Sequence, residues 1–393
     1  MYLTLSDVRG IGEDKLREFL EKRIPEGHHL DYKKDLIREG NASGSNLGNG
    51  AKREFLKDIT GFANANGGDI LLGVNEPSES TSVDEQLVGI DDGNQLAQSL
   101  ERLARDSVDP PIPGLHFEPV SLRNGKVAMV VHIPPTNMRP HRVNHSGHVG
   151  FYMRHSESTF SMNTYQIREA VLASASAEIR AKEYMNRMLR DTETYVTKGL
   201  PVFLLQAMPM ITPEKPWNVL SSEFFAVIRD STNRRSHLRY PLVSTVKPTA
   251  TLEGIKGRDD RQKPTWTTEI HRNGYIAVAD LQPTKILDPA YDPEQRPVLT
   301  TYECDLFHAF AYFCKEVLEV AEADSPYLVR CQLLDASGVS LYSHQTTPRF
   351  HGPWAKPAIV WEDQIRQVGE EFTPIADQWC QDLFHAFGLD APL

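Results

Sequence analysis

Residues 51–76 read AKREFLKDITGFANANGGDILLGVNE, and the reading of this stretch decides the fold. Phe55, Ile59, Phe62 and Ala63 recur at the three- and four-residue intervals that line one face of an α-helix, so residues 51–66 are expected to form an amphipathic helix against a core. Asn66-Gly67-Gly68 accepts positive φ and stops the helix. DILLGV at 69–74 is apolar without alternation, the pattern of a strand covered on both faces. Asn75-Glu76-Pro77 ends it, and polar side chains at the mouth of a buried strand are where sites are commonly built.

Working outward, EGHHLDYK at 26–33 predicts a second strand in which Leu30 and Tyr32 share one face and Asp31 and Lys33 the other. Glu26 lies five residues before Asp31, so a bend must intervene before both acids face one site. Residues 40–50, GNASGSNLGNG, read as a flexible loop, and without a Gly-Lys-Ser/Thr sequence they are not a phosphate-binding loop. Before them, residues 4–24 predict a helix capped by Ser6 or Asp7. After them come a polar loop at 78–86, a helix at 94–106, a hairpin turning at Asn124-Gly125, a His-rich loop carrying His141, His145 and His148, and a strand at 151–159. Asn163 or Thr164 caps a helix running past Ala173, and residues 174–197 extend as a connecting helix. The second half has a strand at 202–211, a hairpin turning at Asn273-Gly274, a helix at 303–324, a second hairpin at 327–343 and a last helix at 374–388. The expected architecture is α+β in two lobes: a domain at 1–175, a connecting helix at 176–200 and a C-terminal lobe at 201–393.

Composition narrows the class. Hydrophobic residues make up 40% and charged residues 24%, which suits a globular protein, and no apolar run approaches the ~18 residues of a membrane span. The N-terminus has no basic-then-apolar leader pattern, so a cytosolic protein is expected. Cys304, Cys314, Cys331 and Cys380 lack metal-site spacing and read as free thiols. A net charge of −11 disfavours a surface that coats nucleic acid indiscriminately, but is compatible with carboxylates gathered around a metal ion.

Three acids, Glu26, Asp31 and Glu76, stand at the ends of structured segments. Such acids are ordinarily solvated surface groups. If they converge, they are the oxygen ligands that Mg2+ or Mn2+ takes. Lys33 shares the Asp31 face and could neutralise phosphate or pair with the acids, and Arg139, Arg142 and Arg154 are candidate phosphate contacts. His28 and His29 leave open a metal-free route through paired imidazoles. Asn64 and Gly67-Gly68 read as a helix stop that lets a strand approach.

Four motifs in order carry a resemblance: EGHHLDYK at 26–33, GFANANGG at 61–68, LLGVNE at 71–76 and YMRHSES at 152–158. Together they are similar to the Schlafen-type AlbA-like domain, while the C-terminal half resembles no family we can name. In family members that cleave transfer or ribosomal RNA, three acids are implicated, and their positions match Glu26, Asp31 and Glu76; Arg154 matches the arginine of the late strand motif. Asp31 stands where Glu is usual, and Asn75 where Asp is frequent. The family's structural zinc ligands have no counterpart. The resemblance implies a metal-dependent endoribonuclease acting on structured RNA, transfer RNA foremost, with Glu26, Asp31 and Glu76 on Mg2+ or Mn2+ and Lys33 and Arg154 on phosphate. In a bacterium that activity would suit a toxin or antiphage effector, with a homo-oligomer or a defence complex as its assembly. The alternative is a non-catalytic nucleic-acid- or nucleotide-binding regulatory module or assembly subunit.

Overall fold

The computed structural model describes residues 3–36, 47–78, 80–192, 200–213, 215–230, 248–258, 266–284, 296–300, 302–323, 325–343 and 349–390. The loop expected at 40–50 falls largely outside them. The chain divides into two compact units. The first is Met1–Ala177 with Asp324–Pro326 and Gln367–Gly369; the second is Glu178–Ala323, Tyr327–Arg366 and Glu370–Leu393. Helices and sheets are mixed in both, an α+β architecture.

The first unit runs α1 (Leu5–Val8), α2 (Glu13–Glu21), β1 (Leu30–Lys33), α3 (Asn49–Asn64), β2 (Gly68–Leu72), α4 (Val83–Gln86), α5 (Gly93–Ser107), β3 (Val108–Asp109), β4 (His116–Ser121), β5 (Val127–Ile133), β6 (Arg142–His145), β7 (His148–His155), β8 (Ser158–Ser161) and the start of α6 (Thr164–Thr192). One sheet has the order β1-β2-β5-β4, with β1 parallel to β2 and the other pairs antiparallel. A second antiparallel sheet has the order β3-β6-β7-β8. All five residues of β2 are buried, as its unbroken apolar run requires. One face of this sheet packs on α3 and α5 through Phe55, Ile59, Phe62, Leu96 and Leu100. Leu30, Tyr32, Leu71 and Val130 on the other face meet Leu16, Phe19 and Leu20 of α2.

The expected helix at 4–24 is two helices separated by Gly10, whose φ is +68°. Neither Ser6 nor Asp7 is the cap. Thr4 is, and Asp7 closes the capping box back onto it. The His-rich stretch is not a loop: β6 and β7 form a hairpin there, with His145 opposite His148. Asn163 does cap α6, accepting from the Gln166 amide at 2.9 Å.

In the second unit, β9 (Val202–Pro209), α7 (Ser222–Asp230), β10 (Thr249–Ala250), β11 (Gly254–Arg258), β12 (Trp266–His271), β13 (Ile276–Asp280), β14 (Val298–Leu299), α8 (Tyr302–Val320), β15 (Tyr327–Leu334), β16 (Ser340–Ser343), β17 (Arg349–His351), β18 (Ile359–Val360), β19 (Gln364–Arg366) and α9 (Thr373–Ala386) follow the latter part of α6. The large sheet has the order β10-β11-β12-β13-β9-β15-β18, with β19 also on β15. The β12–β13 hairpin matches the expectation; the hairpin expected at 327–343 does not form. β15 has β9 on one edge and β18 and β19 on the other, so no edge remains for β16, which joins β14 and β17 instead. Trp361 and Trp379 lie in the core with Phe307 and Phe310.

Candidate functional site

The helix stop expected at Asn66-Gly67-Gly68 has a more specific design. Gly67 has φ +74°, and a Cβ there would lie 2.6 Å from the Ile133 carbonyl oxygen and the Pro135 nitrogen. Only glycine lets the end of α3 pass so close to the end of β5. Asn64 does not merely end the helix. Its side chain is wholly buried, its Nδ2 donates to the carbonyls of His141 (2.9 Å) and Tyr152 (2.8 Å), and its Oδ1 accepts from the His141 amide at 2.6 Å. One amide thus fastens α3 to β7 and to His141, the residue that leads into β6. It thereby fixes β7, which carries Arg154, against the helix that carries Asp58.

Alternation along β1 places Asp31 and Lys33 on one face. Asp31 is 3% exposed. Its Oδ2 lies 3.0 Å from Lys33 Nζ and its Oδ1 3.2 Å from Arg154 Nη2. Lys33 also reaches Asp58 Oδ2 of α3 at 3.2 Å. Two buried acids therefore share one ammonium, which burial would discharge but which Asp58 and Asp31 hold above its ordinary pKa. Asp58 itself is raised: burial outweighs the Lys33 charge, and Asp31 and Glu54 add repulsion.

Arg154 is 4% exposed and faces the protein interior. Nε donates to the Gly27 carbonyl at 2.7 Å, Nη2 to the Leu30 carbonyl at 3.1 Å and to Asp31, and the guanidinium lies 4.4 Å from the centre of the Phe62 ring. It holds the 27–30 turn on β1 and balances Asp31, so its Nε and Nη2 donors are spent on the scaffold. Arg139 donates to the Ala65 carbonyl at 2.8 Å, covering the end of α3. Arg142 pairs with Asp109 across β3 and β6 at 2.9 Å. Lys33, Arg154 and Asp31 are thus brought together, whereas Arg139 and Arg142 serve other elements.

The required bend before Asp31 is present. Gly27 N–H donates to the Leu30 carbonyl at 3.0 Å, and Glu26 Oε1 then accepts from the Tyr32 amide, also at 3.0 Å. The Glu26 carboxyl is raised above the usual range, first by burial and then by the charges of Asp31 and Glu76, with the Tyr32 hydrogen bond and Lys33 opposing. Each member of the triad is therefore within electrostatic reach of Glu26. Glu76 is exposed just beyond β2 and carries no hydrogen bond or ion pair among the described residues. The neighbouring Asn75 is occupied: its Nδ2 donates to the Glu85 carbonyl at 2.9 Å. His28 and His155 are both exposed beside this turn, ring centroids 5.8 Å apart, while His29 Nδ1 lies 3.1 Å from the Gly67 carbonyl oxygen.

Asp58 was missed in the sequence, although a signal existed. It lies three residues after Phe55 and four before Phe62, so an acid stands on the core-facing stripe. A buried acid there requires a cation, and Lys33 is that cation.

As arranged, no group of three or more His, Cys, Asp or Glu among the described residues is placed to hold a metal ion. Asp31 is already balanced by two cations. Glu26 Oε2 and the Glu76 carboxylate remain. This donor set suits a cation that takes one or two protein carboxylates and completes its shell with water and substrate phosphate, the habit of Mg2+.

Residues 26–163 match the family model described as Schlafen, AlbA_2. The N-terminal half carries a Schlafen-type AlbA_2 domain. The matched segment contains every candidate residue above, from Glu26 to Arg154. No curated protein matches the chain. Among solved structures, it is similar to a protein of Corynebacterium diphtheriae at 16% identity and a TM-score of 0.26, covering 36% of this chain and 23% of that one. It is also similar to the N-terminal domain of a protein from Nitrosomonas europaea described as related to the ATP-dependent DNA helicase RecG. There the identity is 19% and the TM-score 0.25, covering 36% of this chain and 85% of that one. The chain thus spans under a quarter of the Corynebacterium protein. Among the described residues, no helix is long and apolar enough to cross a membrane.

Proposed function

We propose that the AlbA_2 domain is a metal-assisted endoribonuclease of the cytoplasm, acting on structured RNA with transfer RNA as its first substrate. Supporting it is the crowding of Glu26: a half-buried carboxylate raised by its burial and by Asp31 and Glu76. Such repulsion is relieved when a divalent cation is shared.

Glu26 and Glu76 would hold Mg2+ or Mn2+, with Asp31 behind them. What such an ion supplies when bound is charge neutralisation at phosphate and a water acidified for attack. The chain's own residues do the rest. Arg154 and Lys33 fix Asp31 and the 27–30 turn, so that Glu26 is presented at one position. Lys33 contacts Asp31 and is still partly exposed, and it would steady a phosphate oxygen at the rim. Arg154 acts through Asp31 and Gly27, as a positioning residue.

The test is incubation of the full chain with a transfer RNA pool in Mg2+, Mn2+ or EDTA, beside Glu26→Gln and Glu76→Gln. Discrete fragments that vanish with EDTA and fall about 100-fold or more in both variants are expected. Intact RNA in every lane refutes the nuclease. If RNA is still retarded on a gel, the domain is a binding module, a reading favoured by the balancing of Asp31 by two cations and the engagement of Asn75.

A further inference from the structure

The second unit holds a chain of polar groups of its own. Strand alternation puts Glu269 and His271 of β12 on one face, with Ile270 turned into the opposite core. α6 lies over that face: Gln206 Nε2 of β9 donates to the Met185 carbonyl of α6 at 3.0 Å and to Tyr275 Oη at 2.8 Å. Tyr184, one residue earlier on α6, thereby meets the β12–β13 turn. Its Oη lies 2.8 Å from His271 Nδ1, and His271 Nε2 lies 3.1 Å from Glu269 Oε2. Lys256 of β11, opposite Glu269 in the sheet register, contacts the other carboxylate oxygen.

The direction of this chain follows from acceptor chemistry. Burial would raise Glu269, but hydrogen bonding from His271 and the Lys256 charge bring it down to about 2. Glu269 is therefore an ionised acceptor for His271 Nε2–H, and in that imidazole tautomer Nδ1 is the acceptor that faces the Tyr184 hydroxyl. Hydroxyl, imidazole and carboxylate stand in the order of an activated nucleophile, its base and the group that orients the base. Burial, the largest influence on Tyr184, holds its phenol above the ordinary value, so the hydroxyl keeps its proton and needs that base. The guanidinium of exposed Arg187 lies 4.5 Å from the Tyr184 ring centre, and exposed Arg272 follows His271 on the turn. Arg187 is also a side-chain hydrogen-bond partner of Tyr184, and a cation at a half-buried phenol suits an anionic electrophile.

We propose that Tyr184, His271 and Glu269 form a second reactive site, in which the Tyr184 oxygen attacks the phosphorus of a phosphodiester. The new bond is Oη–P; the bond that breaks is P–O to the leaving alcohol. The Tyr184 proton passes to His271 Nδ1, Glu269 steadies the imidazolium, and that proton is then given to the leaving oxygen. The products are a tyrosyl phosphodiester and an alcohol, with no change of oxidation state. Tyr184 and His271 are the catalytic residues, and Glu269 is a positioning residue. The other charged or titratable groups facing the phenol are Arg187, Glu253 and Tyr275.

The test uses the full chain and bis(4-nitrophenyl) phosphate, reading nitrophenolate release and the mass of the protein. A stoichiometric burst is expected, with the adduct mapped to Tyr184. Tyr184→Phe keeps the ring packing and should abolish the adduct. His271→Ala should slow the burst about 100-fold or more, and Glu269→Gln should shift its pH profile. Added EDTA should leave the burst unchanged, which separates this metal-free site from the metal-assisted AlbA_2 reading. All five tryptophans lie between 217 and 379, so their fluorescence verifies that each variant keeps the second unit folded. A folded wild type without an adduct on Tyr184, or an equal burst in folded His271→Ala, overturns the proposal.

Discussion

Lys33→Met is the substitution that most sharply tests the organisation of the first unit. The ammonium lies 3.0 Å from Asp31 and 3.2 Å from Asp58, both nearly inaccessible. Removing one partner of a fully buried ion pair costs about 3–5 kcal/mol. The Lys33 side chain is 35% exposed, so solvent screening reduces that figure. Asp31 also keeps Arg154. The loss then falls mainly on Asp58, about 2–3 kcal/mol near neutral pH. The sign of the pH dependence follows from Asp58. Its folded pKa is already raised, so its contribution to stability is full below its unfolded value and is lost as pH rises through the folded value. Without Lys33 that folded value climbs further, so the deficit of Lys33→Met should shrink on acidification towards about pH 5. Tryptophan fluorescence is unsuitable, because every tryptophan follows residue 200. Hydrogen exchange read by mass spectrometry on peptides from α3 and β1 measures the local opening free energy directly. A change below about 0.5 kcal/mol, or a deficit that grows on acidification, would refute the shared-ammonium account.

Three further outcomes follow from the same geometry. Asn64→Ala leaves two buried carbonyls and one buried amide without their partner and should destabilise the first unit by about 3 kcal/mol, read as faster exchange in β6 and β7 peptides. Gly67→Ala meets the Ile133 carbonyl in a left-handed conformation and should cost about 2 kcal/mol or more by the same readout, whereas alanine at Gly125, which also has positive φ but open space around it, should cost about 1. Arg154→Lys keeps a charge beside Asp31 but lacks the fork that reaches Gly27 and Leu30. It should loosen the 27–30 turn in exchange experiments and lower RNA cleavage, with little change in the salt dependence of RNA binding.

The local elements were legible because their signals are local. Helical spacing at Phe55, Ile59 and Phe62, the apolar run of β2 and the Asn273-Gly274 turn each name their element without tertiary information. The misassigned pieces depended on partners distant in sequence. β15 and β16 look like one hairpin until β9, β18 and β19 take both edges of β15. The pattern around Arg154 cannot say that its guanidinium turns inward, because the carbonyls that receive it lie more than 120 residues earlier. Asp31 and Lys33 were placed together by strand alternation, whereas Asp58 was overlooked because an acid on an apolar stripe reads as an exception until its counterion is seen. The Glu269–His271–Tyr184 chain was invisible for the same reason: two of its members are alternate residues of a strand and the third comes from a helix 87 positions away from His271.

The proposed nuclease is tested most directly by the metal dependence of single-turnover cleavage of end-labelled transfer RNA, compared between wild type, Glu26→Gln, Glu76→Gln and Lys57→Gln, the last a surface control on α3. The account predicts that wild type and Lys57→Gln cleave with the same Mn2+ midpoint. Glu26→Gln and Glu76→Gln should require about tenfold more Mn2+ or more, and cleave more slowly even at saturation. Cleavage that proceeds equally in EDTA, or with an unchanged Mn2+ midpoint in both glutamine variants, would contradict it.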